Sequence, residues 1–195
     1  MRPAVFLDRD GVLNRLVLAG DRPVAPRTFR DFSLLPGVGR AVRRLRRTGF
    51  VVVVVTNQPE IARGRLPQAD LELMHLRLRS LLLVHGVYTC PHDDSDFCHC
   101  RKPLPGLLFR AARDWSIALR HSFIVGDSWR DIAAGRAAGC RTVLLSSLPA
   151  GSGCFGENDR FHDLQAAALA IRSSQQRPLV CGPASATRGL GLVQG

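Results

Sequence analysis

The chain has 195 residues, carries a formal net charge of +11 and is 46% hydrophobic by composition. This length suits a single domain with a buried core, and the hydrophobic fraction is typical of a globular protein, not of a disordered one. No apolar run approaches the about 20 residues that a membrane-spanning helix needs, and no charged-then-apolar leader precedes the first apolar run. We therefore expect a cytoplasmic protein without a signal peptide.

The positive charge comes almost entirely from arginine, because the chain contains 26 arginines and a single lysine, Lys102. The arginines are scattered, with one cluster formed by Arg43, Arg44, Arg46 and Arg47 on a predicted helix. No aromatic residues are interleaved with this cluster to stack on bases. We interpret it as a solvated helix face and expect neither a nucleic-acid nor a membrane partner. The single lysine indicates a position at which a guanidinium group cannot replace a compact ammonium group.

The predicted elements alternate between strands and helices. A short apolar strand at 5–7 ends at Asp8 and Asp10, and residues 15–35 lack periodicity, which predicts a loop or flap. The later elements are predicted in this order: a helix after Pro36-Gly37 that Gly49 ends, a strand at 50–55, a helix at 67–85, a strand from 87, a helix at 105–119, a strand at 122–125, a helix at 131–138, a strand at 141–145 and a last helix at 161–173. This order predicts an α/β fold with a doubly wound parallel sheet. We assign residues 1–173 to one domain and 174–195, which are rich in Ser, Gln, Gly and Pro, to a disordered tail.

Polar residues follow the apolar strands, where ligands bind in folds of this kind. Asp8 and Asp10 lie two residues apart after the first strand, so their carboxylates project to the same side. Such a pair suits a divalent cation together with a nucleophile and its acid/base partner, although alone it could also be a strand that runs into an Asp/Gly turn. Thr56-Asn57 follows the central strand and offers donors to phosphate oxygens.

Four segments, in this order, resemble the four motifs of the haloacid dehalogenase (HAD) phosphatase superfamily: D-R-D-G-V-L-N from Asp8, V-V-T-N-Q ending at Gln58, R-K-P around Lys102, and F-I-V-G-D-S-W-R-D-I around Asp127. The resemblance covers residues 3 to about 147. It implies a Mg²⁺-dependent phosphomonoesterase in which Asp8 attacks phosphorus and Asp10 acts as the general acid and base. Mg²⁺ would be held by the Asp8 carboxylate, the Asp10 backbone carbonyl and Asp127, with Asp131 as a further carboxylate.

The same resemblance implies the remaining roles at the site. Lys102 would neutralise the nucleophile and the transferring phosphoryl group. Thr56, Asn57 and Ser128 would bind phosphate, and Arg101 would contact the substrate.

A cysteine cluster precedes the third motif. Cys90, His92, Cys98 and Cys100 form the pattern C-P-H-x5-C-x-C, which supplies three thiolates and an imidazole, a frequent tetrahedral zinc set. Followed by Arg-Lys-Pro, it resembles the zinc loop shared by the heptose bisphosphate phosphatases and the histidinol-phosphate phosphatases. Four protein ligands leave no open position, so we expect a structural Zn²⁺.

D-G-V-L-N and I-A-R-G resemble the heptose bisphosphate phosphatases, so we expect a small phosphorylated sugar as substrate. We also expect a monomer, although no motif of the sequence determines the oligomeric state. The five-residue spacing from His92 to Cys98 keeps histidinol phosphate as an alternative substrate. Pro59-Glu60 stands where the family usually has Ser-Gly, which puts the fit of the substrate in question. A catalytically inactive HAD fold that acts as a binding or scaffold protein is a different hypothesis, against which the intact catalytic aspartates and lysine argue.

Overall fold

The computed structural model describes residues 1–146 and 159–176 of the chain. In these ranges the strands are β1 (Ala4–Leu7), β2 (Val17–Ala19), β3 (Arg22–Val24), β4 (Val51–Asn57), β5 (Gly86–Cys90), β6 (Phe123–Gly126), β7 (Arg141–Leu145) and β8 (Asp159–Phe161). The α-helices are α1 (Val38–Arg47), α2 (Gln68–Leu82), α3 (Gly106–Trp115), α4 (Trp129–Ala137) and α5 (Leu164–Gln176). Short 3₁₀ turns lie at Phe29–Asp31, Asp94–Asp96 and Leu119–His121.

Six of these strands form one parallel sheet in the order β5-β4-β1-β6-β7-β8. Alternate residues of β1 belong to two cores: Val5 and Leu7 pack with α1, α2 and α5, whereas Ala4 and Phe6 pack with α3 and α4. Because successive side chains of a strand point to opposite faces, helices cover both faces of the sheet. The predicted doubly wound α/β fold is confirmed.

The sequence pattern explains why the main elements form where they do. Val51–Val55 is completely buried, as expected for a parallel strand that is covered on both faces. Val38, Ala41, Val42 and Leu45 recur at helical spacing and are the buried residues of α1. Each such valine or leucine stabilises the fold by about 1.5–3 kcal/mol through its burial.

Apart from small shifts in the bounds of other elements, the structure differs from the sequence prediction in four places. The predicted flap contains an antiparallel hairpin of β2 and β3, and α3 ends at Trp115 because the chain turns into the left-handed region at Ser116. β8 was not predicted, since three residues are too few to show a period, and its last residue, Phe161, lies where the sequence predicted the start of the last helix, which begins at Leu164. α5 continues to Gln176, so the first three residues of the predicted tail are helical, and 177–195 lie outside the described residues. Within the part of the chain that the structure describes, no helix is long and apolar enough to cross a membrane.

Candidate active site

The carboxyl ends of the parallel strands bring four of the predicted site residues together. Asp8 follows β1, Asn57 ends β4 and Asp127 follows β6, while Lys102 enters from the loop after β5. All four line one cavity of about 260 Å³. The flap closes part of this cavity with Leu16, Pro23, Val24 and Ala25. Parallel strands all end at the same edge of a sheet, so motifs that are far apart in sequence meet there.

Asp8 has one carboxylate oxygen engaged and one open. Its Oδ1 accepts a hydrogen bond from the backbone amide of Arg9 at 2.7 Å and lies 2.8 Å from the Lys102 ammonium group. Within the described residues, no hydrogen bond reaches Oδ2. Burial raises the pKa of Asp8 to about 7, and the nearby ammonium group of Lys102 acts in the opposite direction. A bound cation would favour the ionised carboxylate.

The Lys102 ammonium group is buried and surrounded by acceptors. It donates to the carbonyl of Val55 at 3.0 Å and to Oδ1 of Asp131 at 2.6 Å. With Asp8, these contacts match the three protons of an ammonium group. Although burial lowers the pKa of a lysine, the charges of Asp8 and Asp131 raise the pKa of Lys102 above its usual value. The one lysine of the chain is therefore a permanent cation that touches Asp8.

Asp10 is held by three side chains that the sequence interpretation did not single out. The guanidinium of Arg9 donates to both carboxylate oxygens, at 3.0–3.2 Å, and Asn14 donates at 2.9 Å. Gln58 donates from the other side at 2.7 Å. Arg9 is completely buried, and its Nη1 lies 3.5 Å from Nε2 of His75. A charged residue next to Asp8 gave no sequence signal that it would turn inward.

The structure defines which carboxylates can hold a cation. Oxygens of Asp8, Asp127 and Asp131 lie within 4.8 Å of one another. Both oxygens of Asp131 already accept hydrogen bonds, one from Lys102 and one from the Ser128 hydroxyl at 2.5 Å. Burial and the charge of Asp131 raise the pKa of Asp127 to about 6. Asp8 and Asp127 therefore have the freer oxygens, and Asp131, which also orients Lys102, lies close enough to stay the expected further carboxylate of the cation site.

Two residues expected to donate to phosphate make other contacts. Asn57 lines the cavity, but its side chain donates to the carbonyl of Lys102 at 3.0 Å and accepts from the Lys102 amide at 3.1 Å. Thr56 is completely buried, and its hydroxyl oxygen accepts from Gln58 at 2.9 Å. The structure does not place Thr56 on the cavity wall. Both side chains fix neighbours of the site, and phosphate binding by them stays a prediction.

Two arginines line the outer part of the cavity. Arg101 was expected from the sequence, and it donates to Asp94 at 2.6 Å and to the carbonyl of His92 at 3.3 Å. Arg130 was not expected; it is exposed in the first turn of α4, with its guanidinium 5.1 Å from the centroid of the Trp129 ring. The rim therefore carries two guanidinium groups in addition to the buried lysine.

Glu60, whose presence puts the fit of the substrate in question, does not point at the phosphate site. It is buried and pairs with Arg27 at 2.8 Å, Arg63 at 2.9 Å and Arg65 at 2.7 Å. Burial acts to raise its pKa, but the hydrogen bonds from Arg65 and Arg63 lower the pKa of Glu60 below its usual range. Arg63 also forms two hydrogen bonds to Asp93 of the cysteine loop. Glu60 therefore links the flap, the loop after β4 and the cysteine loop.

The four predicted zinc ligands lie together at the end of β5. Their donor atoms are separated by 3.3–3.6 Å along the contacts that join Cys90, His92, Cys98 and Cys100. Ligand distances of about 2.0–2.3 Å from a central ion give separations of this size in a tetrahedron. Burial raises the pKa of Cys98, but hydrogen bonds from two backbone amides outweigh it and lower that pKa to about 7. The donor set fits a metal ion that prefers sulfur and nitrogen.

The fold and the site together define the class of this protein. A doubly wound sheet carries Asp-x-Asp, Asn, Lys and Asp at one edge, which is the arrangement that the resemblance to HAD phosphatases implied. The HAD-hydrolase-like family model matches residues 99–147, a segment that includes Lys102 and Asp127. The protein is a HAD-type hydrolase.

Known relatives narrow this class to one family. A D-glycero-beta-D-manno-heptose-1,7-bisphosphate 7-phosphatase of Pseudomonas putida is 39% identical over 148 residues, which cover 73% of this chain and 82% of the relative. A D-glycero-alpha-D-manno-heptose-1,7-bisphosphate 7-phosphatase of Mycobacterium bovis is 38% identical over 164 residues, with 75% and 81% covered. The crystal structure of D,D-heptose 1,7-bisphosphate phosphatase from B. bronchiseptica, complexed with magnesium and phosphate, has a TM-score of 0.73 at 31% identity and covers 90% of this chain and 99% of that chain. The chain belongs to the family of D-glycero-D-manno-heptose-1,7-bisphosphate 7-phosphatases.

Proposed function

We propose that this protein is a Mg²⁺-dependent phosphatase that removes one phosphate from a heptose bisphosphate. The observation that carries the proposal is the environment of Asp8. One of its oxygens is held by Lys102 and a backbone amide, the other is open toward the cavity, and Asp127 lies beside it. A carboxylate fixed in this way is oriented for in-line attack on a phosphoryl group.

The reaction we propose has two halves. Asp8 attacks phosphorus, the bond between phosphorus and the sugar oxygen breaks, and Asp10 gives a proton to the departing sugar oxygen. Water then attacks the aspartyl-phosphate, Asp10 takes a proton from that water, and inorganic phosphate leaves while the Asp8 carboxylate is restored. The contacts of Asp10 to Arg9, Asn14 and Gln58 support this role, because they fix its carboxylate in one orientation beside Asp8.

Charge balance is central to phosphoryl transfer. The Lys102 ammonium group is held beside Asp8 and offsets charge on the phosphoryl oxygens, and Asn57 fixes the backbone of Lys102 from both sides. Mg²⁺, held by the carboxylates of Asp8 and Asp127 and the backbone carbonyl of Asp10, would offset the remaining charge of the phosphoryl group. The magnesium and phosphate in the B. bronchiseptica relative support this choice of cation.

The rim of the cavity suits a substrate with a second phosphate. Arg101 and Arg130 are the guanidinium groups of this rim, and a guanidinium binds phosphate oxygens in pairs. The relatives named above act on the beta anomer in one species and on the alpha anomer in the other at nearly equal identity to this chain. The proposal therefore concerns heptose 1,7-bisphosphate as a class and prefers it to histidinol phosphate, which carries one phosphate.

We further propose that Cys90, His92, Cys98 and Cys100 hold a structural Zn²⁺. Arg101 and Lys102 directly follow the last of these ligands, so an ion that orders the loop also fixes where both cations enter the site. The distances among the four donor atoms support a tetrahedral ion.

A panel of phosphorylated substrates tests the proposed function. We expect the highest kcat/KM for a heptose 1,7-bisphosphate, a lower value for heptose 7-phosphate and hexose phosphates, and the lowest for histidinol phosphate. Activity on all of them should vanish on addition of EDTA and in Asp8→Asn, which keeps the shape of the side chain. The highest kcat/KM for histidinol phosphate would contradict the proposed substrate, and no turnover of any phosphate ester would support the scaffold hypothesis.

A further inference from the structure

Seven arginines outside the phosphatase site form a basic surface at the other end of the sheet. This surface, here called the arginine face, consists of Arg2, Arg40, Arg43, Arg44, Arg46, Arg47 and Arg172. Arg2 precedes β1, and the residues around it, Phe50 and His85, precede β4 and β5. The arginine face therefore lies at the amino ends of strands whose carboxyl ends carry the active site.

The arginine face is concave. It contains a cavity of about 410 Å³ and a second one of about 540 Å³, each larger than the cavity of about 260 Å³ at the active site. Arg43 and Arg47 line both of them, so the two cavities adjoin. No carboxylate lines either cavity within the described part of the chain.

The charges of the arginine face are not balanced by the protein. Among the residues 1–146 and 159–176, none of the seven arginines forms an ion pair with a carboxylate, and α1 contains no acidic residue. Their field reaches His85, whose pKa is lowered by burial and by the charges of Arg46 and Arg2. Like charges three and four residues apart on a helix repel each other and destabilise it.

Helix stability explains only part of this arrangement. Arg44, Arg46 and Arg47 lie in the last turn of α1, where a cation interacts favourably with the helix dipole. Arg40, however, lies in the first turn, where a cation is unfavourable. Arg172 reaches the same cavity from α5. Cations that converge from separate elements, one of them at an unfavourable position, indicate a site for an anion.

We propose that the arginine face binds a linear polyphosphate, that is, a chain of closely spaced phosphate groups. Guanidinium groups bind phosphate oxygens in pairs, and two adjoining cavities accommodate more than one phosphate. Of the two rings in the lining, Phe50 is 2% exposed, and His85 packs edge-on against Trp115 with its Nδ1 accepting a hydrogen bond from the Val52 amide. Neither ring is free to stack on a base, so the site recognises phosphate itself. The concave shape fits a flexible chain better than the flat surface of a membrane.

Binding of fluorescein-labelled inorganic polyphosphate to the full chain, measured by fluorescence anisotropy in buffer without Mg²⁺, tests this proposal. The double variant Arg43→Gln/Arg47→Gln removes the two arginines that both cavities share. We expect its affinity to fall at least about tenfold, with a slope of log K against log salt that is shallower by about 1–2. The matched control is Arg77→Gln/Arg120→Gln, which removes the same charge from exposed positions outside both cavities and should bind within twofold of the parent.

Several outcomes would overturn the proposal. These are no binding by the parent chain, equal losses in the two double variants, and displacement of the probe by inorganic phosphate at concentrations that fill the active site. Tighter binding of single-stranded DNA or of anionic phospholipid vesicles than of polyphosphate would also overturn the choice of ligand. The single variants Arg43→Gln and Arg47→Gln, each with an unchanged melting temperature, should give intermediate losses that exclude an effect of misfolding.

Discussion

Lys102 shows how one side chain can set the charge of a site. Its ammonium group contacts Asp8, Asp131 and the carbonyl of Val55, all within 3.0 Å, in a position that is almost completely buried. A guanidinium group is larger and planar, so it cannot meet three acceptors that converge on one point. The sequence showed that Lys102 is the single lysine of the chain, but it did not show the acceptors that explain why a lysine is needed there.

Lys102→Arg is expected to lower kcat/KM at least about 100-fold, although it keeps the charge, because a preorganised charge beside the phosphoryl group is lost. Steady-state kinetics with p-nitrophenyl phosphate measures this. Arg113→Lys, at a largely exposed position of α3, is the control and should behave like the parent. A value for Lys102→Arg within threefold of the parent would contradict the role of Lys102.

Arg9 was the main residue that the sequence could not reveal. It lies between Asp8 and Asp10 in a motif that ends a strand, and such a position is most simply solvated. In the structure it is completely buried, paired with Asp10 and 5.8 Å from the centroid of the Phe32 ring. Only the tertiary packing of α2 and the flap around the site creates this environment. Asn14 and Gln58 went unrecognised for the same reason.

Arg9→Lys is expected to slow the hydrolysis of a sugar phosphate more than that of p-nitrophenyl phosphate. A lysine cannot hold both oxygens of Asp10, and a sugar oxygen needs the proton from Asp10 to depart, whereas nitrophenolate leaves without it. The ratio of the two kcat values should fall about tenfold or more. An unchanged ratio would show that Arg9 only supports the fold, and an unchanged melting temperature is the control for folding.

The regular elements were predictable because their signals are local. Buried valines in β4, helical spacing in α1 and glycine at helix ends each show their structure over a few residues. The hairpin of β2 and β3 escaped prediction because Gly20 and the prolines around it read as loop, and the pairing of two strands is not a local property. The polar edge of the sheet was foreseen in outline, since the motifs follow strands, but the hydrogen bonds within it were not.

Glu60 links the flap, the loop after β4 and the cysteine loop. Loss of its charge should therefore make all three segments more mobile. Glu60→Gln keeps the size but weakens three ion pairs, and we expect the free energy of unfolding to fall by about 1–2 kcal/mol, since the arginines are partly exposed. The KM for heptose bisphosphate should rise several-fold while kcat for p-nitrophenyl phosphate stays unchanged. Glu72→Gln, whose partner in the described chain is Gln68 on the same helix, is the matched control. Equal effects of the two variants would contradict the linking role of Glu60.

The cysteine loop should depend on its metal ion. Between His92 and Cys98 the only apolar side chain is that of Phe97, which is exposed. The loop therefore cannot order itself by packing. Cys98→Ser should lose one zinc per chain by elemental analysis and raise the KM for heptose bisphosphate more than that for p-nitrophenyl phosphate. Cys140→Ser alters a buried cysteine outside the loop and should keep the zinc. Full activity of a zinc-free preparation would contradict the proposed site.

For the whole molecule, the parallel sheet separates two charged ends. The carboxyl ends of its strands gather the aspartates with Lys102, and the amino ends gather the arginine face. The family membership explains the first end, and the catalytic account depends on a single claim there, that Asp8 becomes covalently phosphorylated. No other carboxylate has the same combination of an open oxygen and direct contact with Lys102 within the described residues.

Rapid acid quenching with substrate labelled in the transferred phosphate directly tests whether Asp8 becomes covalently phosphorylated. The account predicts that label appears on the protein during turnover, accumulates in Asp10→Asn because hydrolysis of the aspartyl-phosphate is slowed, is released by hydroxylamine and is absent in Asp8→Asn. Peptide mapping should locate it at Asp8. Turnover by the parent without any labelled protein, or label that persists in Asp8→Asn, would contradict the account.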